Sequence, residues 1–289
     1  GRPGAVDGTS EGRAPLDLKG QTVPVTADRL GGVHGDATGA ERRVDAPLVG
    51  RHRQLRLLRD AFAHVARDQS CSLFTILGVA GIGKSRLTAE FLRTVDANVV
   101  HGRCLSYGEG ITYWPVVSIV KQVLEQEVGP GAVELMERDT QVAGAIRVLL
   151  GDQASATSST EIAWAVRKLL ESVAEAKPLV VVFDDMHWGE PNLFDLIEHI
   201  ADYSRDAAIF ILCNARPEML DRRLGWGGGK FNATALLLEP LNAEETAALI
   251  GELISQRGGL DERTLAQVQA AAAGNPLFVE EMLVMASES

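Results

Sequence analysis

The eight residues GVAGIGKS, Gly78 to Ser85, constrain this chain more than any other stretch. They follow the apolar run SLFTILG and precede KSRLTAEFLRTV, whose apolar residues recur at helical spacing. A strand that turns through glycines into a helix can aim successive peptide N–H groups at an anion, with the positive helix end behind them. Gly78, Gly81 and Gly83 let the backbone wrap closely, and Val79, Ala80 and Ile82 supply the intervening peptides. Lys84 adds a point charge for β- and γ-phosphates, Ser85 a hydroxyl suited to Mg²⁺, and Arg86 follows in the first helical turn. The spacing G-x-x-x-x-G-K-[ST] in this strand–turn–helix context points to a nucleotide.

A second stretch, PLVVVFDDMHWGEP, drives five apolar residues into two adjacent carboxylates. Ionised acids at the edge of a buried strand are costly unless a cation meets them. Nucleotide-bound Mg²⁺ is that cation in this reading: Asp184 holds it through water, and Asp185 orients and partly deprotonates an attacking water.

Around these stretches the pattern alternates. An amphipathic helix follows Pro47, and ANVVHGRC, PLVVVF, AAIFILCNA and ATALLLEPL read as further strands after SLFTILG. Residues 113–176 read as mainly helical, broken at Gly129-Pro130-Gly131 and in the Ser/Thr stretch 155–160. The predicted fold is α/β, a parallel sheet covered by helices on both faces. After Leu241 the pattern is purely helical. Asn242 with Glu245 resembles a capping box, and Asp261 caps the next helix, through Ala273. We divide the chain into 1–30, a linker over 31–46, a sheet domain over 47–241 and a small helical lid over 242–289. The linker reads as disordered from its composition. Within 1–30, Lys19-Gly20 reads as a turn between two short strands.

Composition removes some alternatives. With 28 Lys and Arg against 39 Asp and Glu, the net charge of −11 argues against a nucleic-acid-binding surface. The longest apolar run, Ala207 to Cys213, is far short of the roughly 20 residues that span a bilayer. Cys71, Cys104 and Cys213 have no paired spacing and read as buried thiols of a cytoplasmic protein. The chain starts with Gly, so we read it as a fragment of something longer.

With these segments in place, the chain resembles a P-loop NTPase of the STAND class, relatives of AAA+ ATPases, over roughly residues 47–289. It looks most like the ATPase module of bacterial multidomain regulators that carry a nucleotide cyclase or LuxR-type DNA-binding domain, often with TPR-like repeats. LVGR (48–51), GVAGIGKSRL, GRCLSYGEGITYWPV (102–116), VVVFDDMHW, ILCNARPE (211–218) and GNPLFVEEML (274–283) carry the likeness. It implies that Val49 and Gly50 pack near adenine, that Arg216 senses the γ-phosphate, and that Pro276 reaches nucleotide from the lid. The segment around Glu109 packs structure beside the site. Taken alone, Gly-Asn-Pro is a helix terminator, and a strand-terminal Arg is more often a surface ion pair. Relatives carry Glu-Arg-Glu where this chain has Arg51-His52-Arg53, and no lid arginine stands near GNP. LDLKGQTVPVTADRL resembles the final strands of a class III cyclase domain, with Asp28 replacing the usual Tyr.

The function so implied is an ATP-binding, slowly hydrolysing regulatory switch that uses ATP/ADP and Mg²⁺. Its partners are nucleotide, the other domains of a parent chain (cyclase, TPR-like or DNA-binding) and, depending on nucleotide, further copies of itself. Direct nucleic-acid or membrane contact is not expected. Two alternatives stay open: an AAA+ ATPase acting on DNA, which wants a basic surface, and a P-loop kinase, which wants an acceptor pocket.

Overall fold

The structure is a computed structural model that describes residues 10–16, 25–30, 48–106, 113–125, 131–152, 157–255 and 261–287. By its contacts the chain divides into two units, Gly1–Ala46 and Pro47–Ser289. In the first, β1 (Ser10–Leu16) and β2 (Val25–Leu30) pair antiparallel, Leu16 opposite Val25, with a register shift between Glu11 and Arg13. The expected turn at Lys19-Gly20, the linker 31–46 and Glu109 lie outside the described residues.

The second unit opens with α1 (His52–Asp68) and is built on five strands: β3 (Cys71–Leu77), β4 (Asn98–Arg103), β5 (Leu179–Asp184), β6 (Ile209–Ala215) and β7 (Ala233–Leu237). All are parallel, in the order β4-β5-β6-β3-β7. Alternate residues serve two cores, which is why β5 and β6 read as unbroken apolar runs. Phe74, Val180, Val182, Phe210 and Leu212 face α1 and α2 (Lys84–Leu92), while Leu73, Val181, Phe183, Ile211 and Cys213 face the opposite layer. On the first side Phe62, Phe74, Phe91 and Phe210 pack with ring centroids 5.6–6.0 Å apart. The other layer holds α3 (Trp114–Glu125), α4 (Gly131–Arg138), α5 (Thr140–Leu149), α6 (Ser159–Ala174) and α7 (Pro191–Tyr203). Ser158 and Glu161 form a reciprocal capping box that starts α6.

A short α8 (Met219–Arg222), with no periodic signal in the sequence, follows β6. Three helices end the chain: α9 (Ala243–Ser255), α10 (Glu262–Ala272) and α11 (Pro276–Ser287). Asn242 and Glu245 exchange backbone-to-side-chain hydrogen bonds of 2.8 and 2.9 Å at the start of α9, and Asp261 accepts from the Thr264 N–H at 2.7 Å. Gly-Asn-Pro does more than terminate. Ala273 and Gly274 both take left-handed φ, ending α10, and Pro276 then opens α11, where its missing N–H is harmless. None of the described helices is long and apolar enough to cross a membrane.

Candidate functional site

Every segment singled out for phosphate chemistry converges on the carboxyl ends of β3, β5 and β6. The strand order makes a crevice there: β3 leads out to the far edge strand β4, and the chain returns through β5 and β6 before passing β3 to reach β7.

The loop from Gly78 to Gly83 is anchored from within. Gly78 N–H donates to the Ala215 carbonyl at 3.2 Å, and Ile82 is 1% exposed, plugged into the α1–α2 core. Gly83 has φ +99 with open space where a Cβ would stand, and it supplies no side-chain cap to α2. That combination leaves room for an anion at the helix end. Lys84 Nζ donates to the loop carbonyls of Gly78 and Val79 at 2.7 and 3.0 Å, so its charge sits inside the loop's curve. Ser85 follows in the first turn of α2, and Arg86 is turned to Glu90, 3.0 Å away. Val79 is half exposed, at 50%.

The two acids sit at the end of β5 in different settings. Asp184 accepts from Asn214 Nδ2 at 2.8 Å. Asn214, 2% exposed on β6, is in turn within 3.2 Å of the Thr88 hydroxyl on α2. Sequence reading passed over Asn214, and the signal available was a polar residue inside a fully buried strand. Asp185 is the next residue but takes φ +56, opening the 3₁₀ turn Met186–Trp188. Its carboxylate meets Arg103 of β4 at 2.9 Å, a pairing the sequence did not announce and one that qualifies the expectation of a free acid. Both partners are partly exposed, so that pair is weak.

Arg216 follows β6; its guanidinium makes no hydrogen bond or ion pair to the described residues. Burial and then Arg216 hold the pKa of nearby His187 below the ordinary imidazole value.

The first motif and the lid meet the loop from the other side. Arg51, 6% exposed, donates from Nη2 to the Glu239 carbonyl at 2.7 Å and to the Ile82 carbonyl at 3.4 Å. Burial pulls its pKa below the usual arginine value, with Glu245 and then Glu239 opposing. Gly50 has φ +71, and a Cβ there would stand 2.6 Å from the Glu245 side chain, so this segment packs on α9; Val49 lies beside it, half-buried. Arg51 thus ties the phosphate loop at Ile82 to the segment that follows β7 at Glu239. Next to Pro276, Asn275 Nδ2 donates to the Ala80 carbonyl at 2.9 Å, and the Leu277 N–H approaches the Gly81 carbonyl at 3.3 Å. Gly81 admits this contact: at φ +78, a Cβ would lie 2.7 Å from Asn275 Oδ1.

A glycine-rich loop after β3, two acids at the end of β5 with β6 between these strands, and a helical lid define a P-loop NTPase of the AAA-like class. The chain belongs to the AAA ATPase domain family, which it matches over residues 47–212. Residues 242–286, the lid, match a domain of unknown function (DUF8739). Among known proteins it is 27% identical over 300 residues to "Uncharacterized protein R02095" of Rhizobium meliloti (strain 1021), spanning 94% of this chain but 28% of that protein. Among solved structures it is similar to Cdc6p from Pyrobaculum aerophilum (TM-score 0.58, 13% identity, 86% of this chain and 64% of that one). It is also similar to the Aeropyrum pernix Orc1 protein solved in complex with DNA (TM-score 0.53, 18% identity, 86% and 62%). At these identities the likeness concerns the fold.

The residues present fit a magnesium nucleotide. A glycine-lined cradle, a lysine within it, and a carboxylate oriented by a buried amide are the donor set that phosphate and Mg²⁺ require.

Proposed function

We propose that the chain is an ATP-binding regulatory switch module, slowly hydrolysing, of a larger bacterial signalling or transcription-regulatory protein. The observation that carries this reading is the direct bonding of lid to phosphate loop, Asn275 to Ala80 and Leu277 to Gly81. A ligand that rearranges the loop carbonyls must alter the lid's footing, so nucleotide state and lid position are coupled. Gly78 to Arg86 hold the phosphates, Ser85 and Asp184 the Mg²⁺, Asp185 the attacking water, and Arg216 and Pro276 reach the nucleotide from the β6 end and the lid. Val49 and Gly50 flank the base. Mg²⁺, when bound, neutralises charge on the phosphates; every other role here belongs to side chains and peptides of the chain.

The lid presents Glu244, Glu245, Glu252, Glu280 and Glu281, with Arg263 as its described basic residue, which supports a switch over a DNA-acting machine. The chain spans under a third of its R. meliloti relative, so output and signal belong to proposals about a larger protein. The test is nucleotide analysis after denaturation together with ATP-induced thermal shift. Wild type should shift; Lys84→Ala, which removes the loop's side-chain cation, should not. A full shift in Lys84→Ala would overturn the site, and turnover stimulated by DNA would favour the DNA-acting reading.

A further inference from the structure

Two helix faces of the unit Pro47–Ser289 stand open, and their charges are opposite. One lies on the first half of α1. Its inner side, Leu55, Leu58, Phe62 and Val65, is buried, while Arg53, Arg56 and Arg59 stand in solvent around Leu57, itself 43% exposed. Asp60 is the one acid in that stretch. Arg53 and Arg56 enter no ion pair among the described residues. The second half of α1 differs, because His64, Arg67 and Asp68 engage one another at 2.7–3.2 Å. The basic stripe runs against a chain whose net charge is −11.

The other face lies on α11, PLFVEEMLVMAS, which carries apolar residues on every side. A helix of that kind ordinarily sits inside a core. Here only part of it does. Val279 and Leu283 are buried, whereas Leu277, Phe278 and Met285 are 41%, 46% and 59% exposed. Residues 277, 281 and 285 recur at helical spacing, so Glu281 stands in the middle of this apolar stripe. It is exposed and enters no ion pair among the described residues.

We propose that these faces are the two halves of one contact between copies of this chain, α1 of one copy lying along α11 of another. Charge decides the occupant. A carboxylate set among Leu277, Phe278 and Met285 calls for a cation that also covers apolar surface. Arg53 and Arg56 beside Leu57 are that combination, since arginine stems pack on apolar groups while their heads stay free to pair. Within one copy α1 packs on α2, β3 and β6, and α11 packs on α9 and α10, so the exposed sides await another molecule. A twofold pair makes the exchange twice; made once, it leaves one face of each kind open for the next copy. One helix pair buries less than the roughly 1,200 Å² of a standard stable interface, so the contact is weak and sensitive to salt. It goes beyond the nucleotide reading and does not rest on it.

The experiment is sedimentation velocity of the full chain over a concentration series, at low salt and at about 1 M salt, where charges are screened within about 3 Å. Wild type should associate at low salt and come apart at high salt, a readout that needs no variant. Arg53→Glu with Arg56→Glu sets like charge against Glu281, and Glu281→Arg sets like charge against the α1 stripe. Each alone should weaken self-association about tenfold or more. Mixed in equal amounts the two variants should associate again, because reversed α1 then meets reversed α11. Glu137→Arg makes the same charge change at an exposed position of α4; it should leave self-association intact and fail to rescue the α1 variant. A wild type that stays monomeric throughout, variants that associate like wild type, or a mixture that does not recover would overturn the proposal. Rescue by Glu137→Arg would overturn it too, since net charge and not these faces would then drive association.

Discussion

Asn214 is the residue on which the Asp184 end of the candidate site turns. It ties Asp184 to Thr88 from inside β6, so Asn214→Ala leaves a carboxylate and a hydroxyl without their partner. We expect a loss of about 1–3 kcal/mol by chemical denaturation, with weaker Mg-ATP binding alongside. The two acids should fail differently. With the proposed roles, Asp184→Asn should weaken a charge interaction with metal in the ground state and reduce binding and hydrolysis together. Asp185→Asn should leave that interaction and remove the group proposed to orient water, so binding should survive while single turnover slows by about 10²- to 10⁴-fold. Equal loss of ATP binding in both would end this division of labour. His187 gives a pH signature of defined sign. Its folded pKa is depressed, by burial first, so the unfolded chain binds more protons than the folded one as pH falls through about 6.5. Its effect on stability is absent above that value and becomes a growing loss below it. The midpoint of thermal unfolding should therefore decline less on acidification in His187→Gln than in wild type, and parallel declines would contradict the depressed pKa.

At the scale of elements, the lid is held to the loop by few bonds, and these can be separated from its own integrity. Asn275→Ala deletes the part-buried donor to Ala80 and one of the two acceptors of Leu277 N–H, at a cost of about 0.5–1.5 kcal/mol. Amide exchange in 276–287 should rise and nucleotide affinity should fall. Asp261→Ala removes the cap of α10, away from the loop, and should speed exchange in α10 with nucleotide affinity unchanged. If both variants changed affinity alike, the coupling would run through lid stability and not through the latch. Elements were also where the sequence was most readable. β5 and β6 declared themselves because both of their faces are covered, and Asn242–Glu245 and Asp261 because caps are local chemistry. Strand order was hidden, since it depends on where crossovers return the chain and not on any window of residues. The contacts Arg51–Glu239, Asn275–Ala80 and Arg103–Asp185 were hidden for the same reason: each joins residues 82 to 195 apart. Their residue types are unremarkable until the fold brings them together.

For the whole molecule, the question is how much of the chain the nucleotide site needs. Pro47–Ser289 holds both cores, the loop, the two acids, Arg51 and the lid, and the strand pair β1–β2 falls in the other unit. A sheet with layers on both faces buries enough apolar surface to fold alone, as domains of this size do. We therefore expect the segment Pro47–Ser289, expressed by itself, to unfold cooperatively and to gain about 2.7 kcal/mol from ATP at about 100 times its dissociation constant. The full chain should gain the same amount, because ligand stabilisation reports the affinity of the folded site and not the length of chain outside it. Lys84→Ala within the shortened segment should abolish the gain, tying it to the loop. A shortened segment that folds yet gains less than the full chain would show that residues 1–46 contribute to nucleotide affinity. One that does not fold would make those residues part of the structural unit.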